Sequence, residues 1–315
     1  MAVRQTFSKR IKDEISLNKY EMNQERAILS GFIRYSGAIS LFPELTLKVS
    51  SSSAAISKFI FSCLKDVYNV QPKLTYTKEL RLSKNLIYHI EVNQDVEKIL
   101  LDLEISKSKG LELLSPKSFM NEDNFRFFII GTFLASGQVS DPKSKGYFAE
   151  LVFNKEEDAK MALKGLLAYK DEETMSFKSI LRRDKWVLYL KKSDQISVFL
   201  SFLGAVTMMF DFENSRLEKD YFNNENRLTI CEQANYSRAL KTGEKNISDI
   251  STIQEKIGEV YFNEKTRQVA QIRLDNKDAS YQELSELLLA KGINITKSGV
   301  AHIFDRFAAD ASKLK

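Results

Sequence analysis

The sequence contains one nine-residue pattern twice, and this repetition constrains the fold more than any other feature. Residues 29–37 read LSGFIRYSG and residues 129–137 read IIGTFLASG, so the closing glycines lie 100 positions apart. Each copy is typical of the end of an apolar helix that turns into a strand. We expect Gly37 to adopt the left-handed conformation that glycine accepts without side-chain strain after a helix. Two such copies predict an internal duplication.

The hydrophobic periodicity that accompanies each copy predicts the same order of elements in both halves, αββαββα. The fold class is therefore α+β, with two tandem units related by pseudo-symmetry. Gly31 and Gly131 lie in the two leading helices, and small residues let helix backbones approach closely. We therefore expect these two helices to pack against each other. Between the units, residues 105–120 are predicted to form a linker.

After about residue 210 the strand pattern ends and only helical patterns follow. The capping box Ser280-x-x-Glu283 begins one helix, residues 291–295 form a short glycine-containing turn, and Thr296 begins the last helix. Helix, tight turn and helix form a helix-turn-helix. The predicted domains are a lead-in helix at 1–20, a first repeat at 21–108, a second repeat at 120–210, a tether at 211–227 and a helix-turn-helix domain at 228–315.

Composition limits the classes of function. The net charge of +5 permits a polyanionic partner without requiring one. The two cysteines, Cys63 and Cys231, lack CxxC spacing, which argues against a thiolate metal site. We expect no cofactor and no metal. The N-terminus is charged and the longest apolar run is short, so we expect neither a signal peptide nor a membrane span, and a location in the cytoplasm or nucleoid.

Three motifs resemble those of a known family. They are GTFLASGQVSDP at 131–142, NRL at 226–228 with CEQAN at 231–235, and KSGV at 297–300 with His302. The doubled αββαββα body resembles the LAGLIDADG homing endonucleases. With the C-terminal helix-turn-helix, the chain resembles the WhiA family of bacterial transcription regulators.

The resemblance implies a location for catalytic acids. In a LAGLIDADG nuclease, each leading helix carries a carboxylate just before its last glycine, and the two acids hold Mg²⁺. Ser36 and Ser136 occupy these positions here. A neutral hydroxyl is a poor Mg²⁺ ligand, so we expect both serines to bond backbone groups and the protein to be no enzyme. An active homing endonuclease or maturase is the weakest alternative.

The helix-turn-helix is the predicted working surface, because the N-terminal residues of a recognition helix meet base edges in the major groove. The candidate DNA-binding residues are Tyr281, Gln282, Thr296, Lys297, Ser298, Gly299, His302 and Arg306. The family resemblance implies basic residues after His302, but the chain has Ile303, Phe304 and Asp305 there. Asp305 would repel phosphate, which leaves open a helical module that binds protein instead.

Basic residues on the second hairpin of each repeat are candidates for secondary DNA contacts. They are Lys73, Lys78, Arg81 and Lys84 in the first repeat and Lys178, Arg182, Arg183 and Lys185 in the second. Solvated strand edges explain them equally well, since lysine at an edge opposes aggregation.

The function predicted from these observations is a non-enzymatic regulator that reads promoter DNA through its helix-turn-helix. The partner is double-stranded DNA, and the resemblance leaves open a sigma factor or RNA polymerase as well. The resemblance implies a role in sporulation, cell division or chromosome segregation. The alternative is a protein-interaction scaffold of the division or segregation machinery. The sequence leaves the oligomeric state open.

Overall fold

The computed structural model describes residues 5–78, 86–107, 112–169 and 174–314. The chain divides into two compact units, Met1–Lys219 and Asp220–Lys315, and each has its own hydrophobic core. The boundary lies within residues 211–227. None of the described helices is both long and apolar enough to cross a membrane.

The first repeat follows the predicted order of elements. A lead-in helix precedes it. The elements are α1 (Phe7–Ile15), α2 (Met22–Ser36), β1 (Gly37–Ser40), β2 (Thr46–Ser51), α3 (Ala54–Tyr68), β3 (Lys73–Lys78), β4 (Leu86–Val92) and α4 (Val96–Asp102). The four strands form one antiparallel sheet in the order β1-β2-β4-β3.

The second repeat has the same topology. Its elements are α5 (Glu122–Ser136), β7 (Gln138–Val139), β8 (Ala149–Phe153), α6 (Glu156–Ala168), β9 (Lys178–Arg182), β10 (Lys185–Leu190) and α7 (Ser193–Phe202). Its sheet has the equivalent order β7-β8-β10-β9. The predicted α+β class and the duplication are confirmed.

Helices α2 and α5 pack backbone to backbone at the centre of the first unit. A methyl group built on Gly31 would lie 2.2 Å from the carbonyl oxygen of Phe128, and one on Gly131 would lie 2.0 Å from that of Ile28. These distances are far shorter than van der Waals contact, so only glycine fits at either position. The predicted close approach of the two helices is confirmed.

The left-handed conformation predicted for Gly37 is wrong. Gly37 has φ −83° and ψ 145°, and Gly137 has φ −75° and ψ 150°, so both are extended. The chain passes directly from helix to strand at both positions. A side chain is excluded by a contact four residues back, since a Cβ would lie 2.5 Å from Ile33 O at Gly37 and 2.1 Å from the Phe133 ring at Gly137.

The predicted linker at 105–120 contains regular structure. Strands β5 (Ser106–Lys107) and β6 (Glu112–Leu113) pair, and a 3₁₀ turn follows at Lys117–Phe119. The buried guanidinium of Arg34 donates to the carbonyl oxygens of Leu114 and Glu104 on the two sides of this hairpin. These bonds to α2 fix a segment whose composition suggests an irregular connection.

The C-terminal elements are helical. They are α8 (Val206–Lys256), a 3₁₀ turn at Glu259–Tyr261, α9 (Glu264–Asp275), α10 (Tyr281–Ala290) and α11 (Lys297–Leu314). Helix α8 covers the predicted tether without a break. Ile250 and Ile253, near the end of α8, belong to the core of the second unit together with Leu284, Phe304 and Phe307.

We expect Gly31→Ala to destabilise the first unit by about 3 kcal/mol or more, because the added methyl group meets a helix backbone that cannot give way. Gly146→Ala is the matched control, since a Cβ there would have no neighbour within 4 Å. Urea unfolding followed by circular dichroism measures both. Equal stability of the two variants would contradict the close packing.

Candidate nucleic-acid interface

The α10–α11 turn is fixed by local hydrogen bonds that the sequence encodes. Gly292 has φ +79°, and the amides of Gly292 and Ile293 donate to Leu289 O and Leu288 O, both over 2.9 Å. This pair of bonds is the Schellman ending of a helix, which places glycine in the left-handed region. Ser285 Oγ also donates to Ile295 O over 2.6 Å. The direction in which α11 leaves the turn is therefore set by α10.

Helices α10 and α11 begin at the predicted capping residues, Ser280 and Thr296. Ser280 Oγ accepts from the amide of Glu283, and the Glu283 carboxylate accepts from the amide of Ser280. These bonds to its charged form lower the pKa of Glu283. At α11, Thr296 Oγ1 accepts from the amide of Gly299 over 3.3 Å. Thr296 therefore uses its hydroxyl within the fold.

Helix α11 buries one face and exposes the other. Val300, Phe304, Phe307 and Ala311 are buried in the core of the second unit. Lys297, Ser298, His302 and Arg306 are exposed, as is Asp305. Gly299 is half-buried, and a Cβ there would lie 2.9 Å from Ile295 Cγ2. The glycine thus lets the first turn of α11 lie close to the segment before it.

The two candidates at the start of α10 have different environments. Gln282 is exposed, and its amide donates to Glu286 over 2.8 Å. Tyr281 is half-buried, its ring stacks on Phe304 at 5.6 Å, and its hydroxyl bonds the Asn246 side chain over 3.2 Å. Tyr281 therefore takes part in the core of the second unit, and its predicted contact with phosphate stays a prediction.

Arg273 organises this core, although no pattern in the sequence singles it out. Its side chain is 0% exposed, and its guanidinium lies 5.7 Å from the Tyr281 ring and 5.5 Å from the Phe304 ring. Nη1 donates to the carbonyl oxygens of Asn276 and Ala279 in the α9–α10 loop. Burial lowers the pKa of Arg273 from its ordinary high value. Only its position on the inner side of α9 distinguishes it from a surface arginine.

The positions equivalent to nuclease metal ligands hold serines that bond the backbone. Ser36 Oγ donates to Phe32 O over 2.7 Å, and Ser136 Oγ donates to Val152 O over 2.8 Å. This agrees with the expected role of both hydroxyls. No three His, Cys, Asp or Glu side chains in the described ranges lie close enough together to hold a metal ion.

A lysine from outside the repeats lies on the same groove as Ser36. Lys12 of α1 lines the same groove as Ser36 and Gly137, and its ammonium lies 5.6 Å from the Phe133 ring. Burial lowers the pKa of Lys12 from 10.5 to about 8. A cation at this position repels a metal ion. No pattern in the sequence distinguishes Lys12 from the other basic residues near the N-terminus.

The basic residues of the second hairpins fall into different settings. Strand register places Lys178, Arg182 and Lys185 on one face of the second sheet, where Arg182 also bonds Glu150 over 3.2 Å. Arg183 lies in the two-residue turn, with φ 50°. Lys73 is the cross-strand partner of Glu91, and Lys78 is exposed at the end of β3. Arg81 and Lys84 lie outside the described residues.

Three family models match the chain in order. The WhiA N-terminal LAGLIDADG-like domain matches residues 22–106, the WhiA LAGLIDADG-like domain matches residues 125–221, and the WhiA C-terminal HTH domain matches residues 226–309. The chain belongs to the WhiA family. The family predicted from the motifs is confirmed.

Relatives in the WhiA family span almost the whole chain. A probable cell division protein WhiA from Enterococcus faecalis is 31% identical, over 98% of both chains. One from Exiguobacterium sibiricum is 33% identical, over 98% of this chain and 97% of the relative. The crystal structure of full-length DUF199/WhiA from Thermatoga maritima, at 24% identity, matches with a TM-score of 0.58 over 98% of this chain and 99% of that one. This structure shares the fold.

We expect Arg273→Met to destabilise the second unit by about 2–4 kcal/mol, because it leaves the carbonyl oxygens of Asn276 and Ala279 without their donor. Arg238→Met, at an exposed position on α8, is the control and should change stability by less than about 0.5 kcal/mol. Amide hydrogen exchange in residues 276–279 measures the effect. Unchanged protection in Arg273→Met would contradict the role of Arg273.

We expect Lys12→Met to stabilise the first unit at pH 7 by about 1–2 kcal/mol, because it removes a cation that burial disfavours. The folded state releases this proton near pH 8 and the unfolded state near 10.5. The stability of the wild type should therefore rise relative to the variant between those pH values. Urea unfolding across pH 7–10 measures this difference, and a constant difference would contradict it.

Proposed function

We propose that this WhiA-family protein is a non-enzymatic DNA-binding regulator that reads promoter DNA with α11. The observation that supports this most directly is the exposed row at the start of α11, Lys297, Ser298 and His302, on a helix whose opposite face is buried. The N-terminal residues of a recognition helix reach base edges in the major groove. Lys297 suits the acceptors O6 and N7 of guanine, and Ser298 suits a base or a phosphate.

Further contacts surround this row. Gln282, in the first turn of α10, is exposed at a helix N-terminus, a position that suits phosphate. Arg306 lies two turns along α11 from Ser298, with its guanidinium 5.9 Å from the Tyr261 ring. Asp305 is exposed next to it and opposes phosphate. We therefore expect Lys297 to supply most of the cationic interaction, with Arg306 as a weaker contact.

The absence of nuclease activity is part of this proposal. Ser36 and Ser136 are engaged with backbone carbonyls, and Lys12 adds a positive charge beside Ser36. Two carboxylates are what a Mg²⁺ ion would require there. The body then acts as a scaffold, and Lys178, Arg182 and Lys185 on the second sheet offer a weaker second path for DNA.

The cellular role is proposed from the relatives, which are named probable cell division proteins. We infer that the protein acts in the cytoplasm, at the nucleoid, on genes connected with cell division, with sporulation as a further process in organisms that sporulate. A sigma factor or RNA polymerase is a candidate partner. Crosslinking of the protein to genomic DNA, with and without residues 222–315, identifies the target genes.

The double variant Lys297→Ala/Arg306→Ala tests the DNA surface. We expect its affinity for promoter DNA to fall about tenfold or more, and the dependence of affinity on salt to become shallower by about two counterions. Lys313→Ala is the control, since Lys313 lies on the same helix about 24 Å from Lys297. Fluorescence anisotropy at several salt concentrations measures both variants.

The outcomes separate the alternatives. Retained binding in the double variant, with loss in Lys178→Ala/Arg182→Ala, would place the DNA site on the body. Weak binding by the wild type, without dependence on salt, would favour the protein-interaction scaffold, an alternative suggested by the exposed Asp305. Metal-dependent cleavage of duplex DNA would contradict the non-enzymatic proposal.

A further inference from the structure

A groove of about 960 Å³ lies in the first unit, where α1 crosses the ends of α2 and α5. Helix α1 is fixed on both sides of it. Ser8 Oγ donates to Val139 O and accepts from the Val139 amide, which ties α1 to the second repeat. Ser53 Oγ donates to Asp13 over 2.6 Å, which ties α1 to α3 of the first repeat. We call this feature the α1 groove.

The charged side chains that line the α1 groove in the described part of the chain are both cations. They are Lys9 and Lys12, and no carboxylate lines the groove with them. Lys12 is half-buried, and its ammonium lies over the Phe133 ring, 5.6 Å from the ring centroid. Burial, without a neighbouring acid, is the cause that lowers the pKa of Lys12. A half-buried ammonium of this kind can form an ion pair with an anion.

Two helices begin at the same groove. Thr6 caps α1 and Ser53 caps α3, and both residues line the groove. Neither helix has an acidic residue in its first turn, and at α1 the partial positive charge of the N-terminus is therefore not offset by its own side chains, whereas at α3 the Asp13 carboxylate accepts from the capping Ser53 hydroxyl. Ser50, Ser51 and Ser52 line the same wall, and the Ser50 hydroxyl also bonds His89 Nδ1 over 2.8 Å. Ammonium, hydroxyl and helix amide groups are the donors that bind phosphate.

The rest of the wall combines the polar side chains of Gln5 and Gln138 with apolar or aromatic residues, of which Leu86 of β4 is exposed. Phe32 and Leu134 come from the two central helices, Ile56 comes from α3, and Tyr88 comes from β4. The volume falls within the range of about 300–1,000 Å³ that small-molecule sites occupy. One end of the site suits a phosphate, and the wall suits an uncharged organic group.

We propose that the α1 groove binds a phosphorylated small molecule of nucleotide size, whose phosphate contacts Lys12 and Lys9 and whose organic group packs on Leu86 and Tyr88. This site is separate from the helix-turn-helix, and the proposal does not depend on DNA binding by α11. Such a ligand would contact both repeats, because Ser36 and Gly137 lie on the same groove. The bound molecule would be a small-molecule effector of the protein.

Isothermal titration calorimetry of the full chain tests this site. The probes are ADP, inorganic pyrophosphate, adenosine as the ligand without phosphate, and a duplex of about 20 base pairs. We expect ADP and pyrophosphate to bind and adenosine not to bind. Lys12→Met should weaken ADP binding about tenfold or more, as the loss of a charged hydrogen bond does. Lys58→Met removes the same charge from an exposed position on α3 and should leave the affinity within about twofold.

Lys12→Met is expected to remain folded, since it removes a buried cation, and circular dichroism confirms this before each titration. Equal affinity for ADP in Lys12→Met and the wild type would overturn the proposal. Absence of heat with ADP and pyrophosphate at millimolar concentration would also overturn it. If only the duplex binds, and Lys12→Met weakens it, the groove holds DNA backbone phosphate and the small-molecule proposal fails. Failure here leaves the role of Lys297 and Arg306 untouched, because their variants are tested separately.

Discussion

The contact between the backbones of α2 and α5 is the interaction on which the first unit depends. Gly31 faces the carbonyl of Phe128, and Gly131 faces that of Ile28. At each glycine the missing side chain leaves the space that the backbone of the other helix occupies. The two sheets begin directly at the ends of these helices, at Gly37 and Gln138. The placement of both repeats therefore follows from one close helix pair.

The same helix ends show how the fold can persist while its chemistry changes. Serine hydroxyls that bond Phe32 O and Val152 O satisfy the helix ends without supplying charge. Lys12 then brings a cation to a region where a nuclease would concentrate anionic ligands. The second unit carries a surface of another kind, on α11. The two units thus have separately packed cores.

The features that the sequence predicted are mainly those set by neighbouring residues. The duplication, the glycine contact, the capping box at Ser280 and the turn at Gly292 depend on local pattern, and they hold. What the sequence did not show depends partly on the element that follows and partly on contacts between distant segments. Gly37 is extended because a strand follows it directly, whereas Arg273 is buried and Lys12 half-buried by helices remote in sequence. The hydrophobic periodicity of a sequence does not indicate which of its polar side chains are buried.

Helix α1 makes the duplicated body unequal. It precedes both repeats, bonds Val139 in the second and, through Asp13, Ser53 in the first, and has no counterpart among the elements of the second repeat. A molecule that approaches the junction of the repeats therefore meets lysines contributed from one side alone. Helix α1 therefore breaks the twofold symmetry at the junction of the two repeats. A ligand that binds at this junction meets different groups on its two sides, so it can bind in one orientation only.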